Sequence, residues 1–178
     1  MLLNAVLCVW NEEDVIAATV RHAFAQGCSN VFIVDNASQD GTVAAATEAG
    51  AVLAASFDSK YFNEDLKVTY LNEVVRRWNE QHNPESAWWL FADADEFPAL
   101  DGGLRILDFL EGLDPAIRGV QGYLFNHLPT HQPYLAPGRH PADFMPLCSK
   151  TWGGKVPLLR YDRGRPHLWS IGGEKKKK

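Results

Sequence analysis

Cysteine is scarce in this chain, and the three present, Cys8, Cys28 and Cys148, stand far apart. Their spacing rules out a thiolate metal knuckle or a CxxC redox pair, and an odd, sparse count fits a reducing compartment such as a cytoplasm. Long apolar runs are missing too: none approaches the roughly 20 residues that cross a bilayer. The start, MLLNAVLCVWNEED, has no basic segment and turns acidic at once, which does not read as a secretion signal. Positive charge is also short. With 17 Lys and Arg against 22 Asp and Glu, the net charge of −5 argues against nucleic acid as a partner, because phosphate contacts call for a basic face. A small anion held through a metal ion stays open. The first strand-to-helix turn, CVWNEED, contains no glycine, so a dinucleotide's pyrophosphate could not approach its backbone closely. The last residues, GGEKKKK, look like an appended tail, and 175–178 are set apart from the fold.

What remains is an ordinary globular composition, 46% hydrophobic and 22% charged over 178 residues, which predicts one domain over 1–174 with a sizeable core. LLNAVLCVW (2–10) reads as a buried strand. The next segment, to Gly27, reads as a helix with Val15, Ile16, Val20, Ala23 and Phe24 on one face and Asn11 as its N-cap. NVFIVDN (30–36) is a second strand, and ASQDGT is turn chemistry with Ser38 or Asp40 placed to cap a short helix. A weaker strand at 51–56 precedes an amphipathic helix over 65–82, with Leu66, Tyr70, Val74, Val75 and Trp78 facing a core. AWWLFAD is the fourth strand and 102–113 the helix after it. The alternation predicts an α/β fold, mostly a parallel sheet with helices on both faces. Past 114 the rhythm changes to strand pieces (117–129, 155–162, 167–171) around a Pro- and His-rich loop, 128–146. The domain thus divides into an α/β half, 1–113, and a β-rich, loopy half, 114–174.

In parallel sheets ligands bind beyond the carboxyl ends of the strands. Three acidic places fall there: Glu12 after the first strand, Asp35 after the second, and Asp93 with Asp95 after the fourth. Residues i and i+2 of an extended segment point the same way, so the two aspartates could aim at one spot and suit Mg or Mn. The plainer alternative is that Asp95 and Glu96 cap a turn before Pro98. Asp35 could accept from a ribose, whereas Asn36 and Asp40 read better as a hydrogen-bonded turn.

VWNEED, VFIVDNASQDGT and WLFADADEFP, in this order, resemble family 2 glycosyltransferases of the GT-A fold, and most of all the subgroup whose acidic motif reads DADEF. The likeness covers about residues 3–100. It implies a nucleotide-sugar site in which Trp10, Asn11, Glu12 and Asp35 hold base and ribose. Asp93 would lie near ribose and metal, and Asp95 would ligate the divalent cation, Mn or Mg, that bridges the diphosphate. Trp10 could equally be a core residue. The resemblance also implies a late histidine as a further metal ligand, for which His167 is best placed, and an acidic general base, for which Asp143 and Asp162 are available. His127, His131 and His140 are candidates for acceptor contact. Arg160, Arg163 and Arg165 could meet diphosphate or form a solvated turn. Glu96 either holds the turn or orients acceptor.

The expected function is transfer of a sugar from a nucleotide-diphosphate sugar donor to a hydroxyl of an unknown saccharide or lipid-linked acceptor, metal-dependent and inverting. The expected setting is cytoplasmic, with peripheral membrane contact open and no nucleic acid involved. A phosphatase of the haloacid dehalogenase type also places DxD after an apolar strand, but on the first strand, and without the following EF. A non-catalytic nucleotide-sugar-binding module is a further alternative. A nucleotidyltransferase would want a glycine-rich basic loop where NEED stands.

Overall fold

A computed structural model of the chain describes residues 1–61, 63–128, 139–140, 145 and 147–167. Its elements run β1 (Leu3–Val9), α1 (Ile16–Ala25), β2 (Asn30–Asp35), α2 (Thr42–Glu48), β3 (Val52–Ser56), α3 (Glu64–His82), β4 (Ser86–Asp93), a 3-10 turn (Asp101–Gly103), α4 (Ile106–Glu111), β5 (Gly119–Leu128) and β6 (Leu147–Asp162). The six strands form one sheet in the order β3-β2-β1-β4-β6-β5. β3, β2, β1 and β4 are parallel neighbours, and β6 pairs antiparallel with both β4 and β5.

Strands β1 and β4 are almost wholly apolar because both of their faces are covered. Successive side chains of a strand point to opposite faces, and β4 shows this directly. Trp88, Leu90 and Ala92 pack with Leu3, Leu7 and Val9 against Ile16 and Val20 of α1, Ala46 of α2, and Ile106 and Leu110 of α4. Trp89 and Phe91 pack on the other face with Val6, Phe32 and Val34 against Leu71, Val74 and Val75 of α3. The result is a three-layer α/β arrangement, mostly parallel with a β-rich second half, as expected.

Three boundaries differ from expectation. Helix α1 begins at Ile16, with Val15 in the cap position and no side-chain cap. Asn11 cannot serve as its N-cap because its backbone is left-handed, at φ 56°. The helix expected over 102–113 is split, since Gly102 and Gly103 take φ of 73° and 74°. That conformation ends the short 3-10 turn, so α4 starts only at Ile106. Strand β6 starts at Leu147, eight residues before the expected 155, because its first half pairs with β5 across Phe125–Leu128. On α3, Leu71 takes a buried position and Leu66 is left 37% exposed. The strand expected over 167–171 lies outside the described residues except for His167, as does the tail 175–178.

Candidate functional site

The parallel register brings the strand-end acids to one edge. Val9 lies opposite Asp35 across β1 and β2, and Cys8 lies opposite Asp93 across β1 and β4. Trp10, just beyond β1 on the same edge, is 42% exposed, which removes the core alternative.

The loop after β1 is stapled to the turn after β2. Asn11 donates its N–H to Ser38 Oγ at 3.0 Å, and Gln39 donates its N–H to Asn11 Oδ1 at 2.8 Å. Glu12 donates its N–H to Thr42 Oγ1 at 2.7 Å. Glu13 Oε2 accepts from the N–H of Gly41 at 2.6 Å, and Asp40 Oδ1 accepts from the N–H of Thr42 at 3.0 Å. Asp35 is buried and accepts the N–H of Ser38 at 3.2 Å. The side chain of Asn36 accepts from the N–H and hydroxyl of Ser59. Asn36 and Asp40 therefore build the turn, while the carboxyl of Asp35 keeps lone pairs for a further donor.

At the end of β4 the chain does not stay extended. Glu96 donates its N–H to the carbonyl of Asp93 at 3.1 Å, which closes a turn over 93–96. The alignment expected of Asp93 and Asp95 from an extended segment thus does not hold. Glu96 Oε2 accepts the N–H of Asp93 at 2.9 Å, so the third carboxylate holds the turn. Thr19 of α1 donates its hydroxyl to the carbonyl of Ala94, and His22 Nε2 lies 2.7 Å from the carbonyl oxygen of Pro98. Both contacts fix the DADEF segment on α1.

Two lysines that the sequence reading missed complete this corner. Lys67 Nζ lies 2.7 Å from Asp93 Oδ1, and Lys155 Nζ lies 3.3 Å from Asp93 Oδ2 and 2.5 Å from Glu96 Oε2. Burial alone would raise the pKa of Asp93, but Lys155 and Lys67 hold its carboxyl below the usual aspartate range. Burial works against the charge of Lys67 too, yet its hydrogen bond to Asp93 keeps that ammonium pKa above the ordinary lysine value.

Among the described residues, Glu12 has no such partner. Burial first, then the charges of Asp95, Asp14, Asp40 and Asp93, push its pKa up to about 7. None of the ion pairs among the described residues involves Glu12, Asp14 or Asp95. The acidic edge therefore has a lysine-neutralised part around Asp93 and an uncompensated part around Glu12 and the exposed Asp95.

Among the described residues, no group of three or more His, Cys, Asp or Glu is arranged as a complete metal cage. A hard divalent cation does not require one, since it takes one or two carboxylates and fills its shell with water and substrate phosphates. Asp95 is exposed and takes part in no ion pair among the described residues, so its carboxylate is open to such a cation.

The remaining candidates are elsewhere. Asp162 pairs with Ser86 at the start of β4, seven residues before Asp93, or about 23 Å along the strand. There it meets Arg118 at 2.9 Å and Arg160 at 2.8 Å. An acid at the opposite end of the sheet, bound by two guanidiniums, does not serve as the general base. His167 packs on Tyr161, whose register partner is Ala87, and lines a small cavity with Val75, Trp89 and Phe91. That placement, against the sheet face and not at the strand ends, takes it out of the metal set. Arg160 belongs to the same far end, and Arg163 donates its N–H to the carbonyl of Glu85, so the basic cluster does not face the acids. His127 Nδ1 lies 2.9 Å from the carbonyl oxygen of Met145, and His140 packs on Phe97 beside the acidic turn. Asp143 and His131 lie outside the described residues.

The sequence model described as Glycosyl transferase family 2 matches residues 5–158, from β1 through most of β6. The chain belongs to that family. No curated protein sequence matches it significantly. Among solved structures, this family 2 chain is similar to glucosyl-3-phosphoglycerate synthase from Mycobacterium tuberculosis in complex with phosphoglyceric acid. The identity is 17% over 53% of this chain and 33% of that one, with a TM-score of 0.35. It is also similar to S. aureus TarS, at 20% identity over 55% of this chain and 28% of that one, with a TM-score of 0.38. It spans about a third of the length of these structures.

Proposed function

We propose that this chain carries the donor-binding part of a metal-dependent glycosyltransferase. It would move a sugar from a nucleoside-diphosphate sugar to an acceptor hydroxyl with inversion at the anomeric carbon. The observation that carries this reading is the meeting of Glu12, Asp35, Asp93 and Asp95 on one sheet edge in a family 2 chain. Family membership favours transfer over the hydrolase alternative.

Each side chain has a task in this reading. The exposed Trp10 ring offers a face for the base, and Asp35 offers carboxylate oxygens to a ribose hydroxyl. Asp93, fixed between two ammonium groups, presents a set geometry beside the ribose. Asp95 would hold the divalent cation, Mn or Mg. When bound, that ion offsets charge growing on the departing diphosphate. A carboxylate from the second half takes the proton of the attacking hydroxyl. With Asp162 tied to arginines, Asp143 is the candidate that remains. The M. tuberculosis synthase has been crystallised with Mn2+ and UDP, but the cation assigned here rests on this chain's own acids.

We place this work in the cytoplasm, on a saccharide or lipid-linked acceptor. No helix among the described residues is long and apolar enough to cross a membrane. Thermal shift with UDP, GDP, CDP and dTDP, each with and without Mn2+, tests the reading. One nucleotide is expected to raise the melting temperature only when Mn2+ is present, and Asp95→Ala is expected to abolish the rise. A flat response to every nucleotide, or an unchanged rise in the variant, would overturn it.

A further inference from the structure

The sequence pattern offers two aspartates to a cation, yet the structure treats them differently. Both oxygens of Asp93 are already engaged by ammonium groups, Oδ1 by Lys67 and Oδ2 by Lys155. Lys155 also occupies Glu96 Oε2, the oxygen that receives the N–H of Asp93. These lysines come from opposite parts of the chain, one from the first turn of α3 and the other from β6, the strand that lines β4 on its antiparallel side. Asp95, two residues on, is exposed and has no cationic partner among the described residues.

We propose that Lys155 is a resident counter-ion, a positioning residue that fills the Asp93–Glu96 corner and thereby directs a divalent cation to Asp95 alone. A small hard cation and a lysine ammonium compete for the same carboxylate oxygens, and Asp93 with Glu96 would otherwise be the most attractive pair on the edge. The lysine wins because it is covalently delivered by a paired strand, where an ion must first shed water. In this arrangement Asp93 keeps one orientation whether or not a cation is present, so the ribose side of the site is formed before donor arrives. The inference rests on the proposed cation role of Asp95, but it can fail separately.

The test is Mn2+ binding to the nucleotide-free protein, followed by titration calorimetry and by the EPR signal of unbound Mn2+. Lys155→Met is expected to bind Mn2+ at least threefold more tightly than the starting protein, or to gain a second ion. Adding Glu96→Gln to that variant is expected to cancel the gain. Lys155→Arg keeps the charge and is expected to leave Mn2+ affinity unchanged. Should Lys155→Met fail to fold, Lys67→Met frees the other oxygen of Asp93 and is expected to show the same direction of change. Affinity that is equal or weaker once the folded lysine variant is compared with the starting protein overturns the proposal. Asp95→Asn reports on the cation reading instead: its loss of the original binding supports Asp95 as ligand, and a retained gain in the Asp95→Asn, Lys155→Met pair still supports the counter-ion.

Discussion

At the residue scale, the charges of the edge predict how the protein responds to acid. Glu12 titrates near 7 in the fold, against an ordinary 4.5, so the folded chain binds more protons than the unfolded chain between those two values. Stability therefore falls as pH climbs through that window and stays lowered above it. Glu12→Gln removes the penalty. Its melting temperature is expected to exceed that of the starting protein at pH 8 and to equal it at pH 4. After allowing for solvent screening of a part-exposed group, the gain at pH 8 is about 1 kcal/mol. An equal gap at both pH values would show that something other than charge is responsible. The carboxylates of this edge were legible because they follow strands of unbroken apolar residues. Lys67 and Lys155 were not. A lysine in an amphipathic helix or ahead of VPLL reads as solvent-facing, and only the pairing of β4 with β6 shows what it meets.

At the element scale, the close packing of loop ends explains both what was read correctly and what was not. Gly27 was expected to stop α1, and it does so at φ 97°, where the C-cap turn needs a left-handed residue. A Cβ at that position would lie 2.5 Å from the Cβ of Leu107, so α4 leans on a site with no room for a side chain. Gly27→Ala is expected to cost about 2 kcal/mol or more in urea unfolding, combining backbone strain with that clash. The other end of α1 was misjudged. Asn11, Asp14 and the acids between them are all plausible first-turn residues, and local chemistry alone does not choose among them. Contacts 27 and 28 residues away choose, since Ser38 and Gln39 hold Asn11 in its left-handed turn. Likewise, the paired glycines before α4 read as a helix start until their positive φ angles showed a break. Core replacements in β4 belong to the same scale. Trp89→Ala empties a site shared by Phe32 and Trp78 and is expected to lower stability by about 3–5 kcal/mol in the same assay.

At the scale of the whole molecule, one long strand joins the two ends of the sheet. β6 delivers Lys155 to the acidic edge and Asp162 to the opposite end, where Arg118 from just before β5 and Arg160 close the pairing. Asp162→Asn leaves two largely buried guanidiniums without their acid and is expected to cost about 3 kcal/mol. The nucleotide and Mn2+ binding proposed for the acidic edge should be unchanged in the folded variant, because that edge stands at the other end of β4. The parallel half was readable from alternation because each of its strands is followed by its own helix. The length and register of β6 were not, since antiparallel pairing across a long connection leaves no local periodic trace. That connection also sets an order of events during folding. Lys155 reaches Asp93 from 62 residues downstream, so a chain emerging from synthesis forms its four parallel strands with the acidic corner still lacking one of its two cations. The corner proposed to serve the donor is thus completed last during synthesis, and chains stalled on the ribosome before residue 155 has emerged should lack the nucleotide binding proposed for the whole chain.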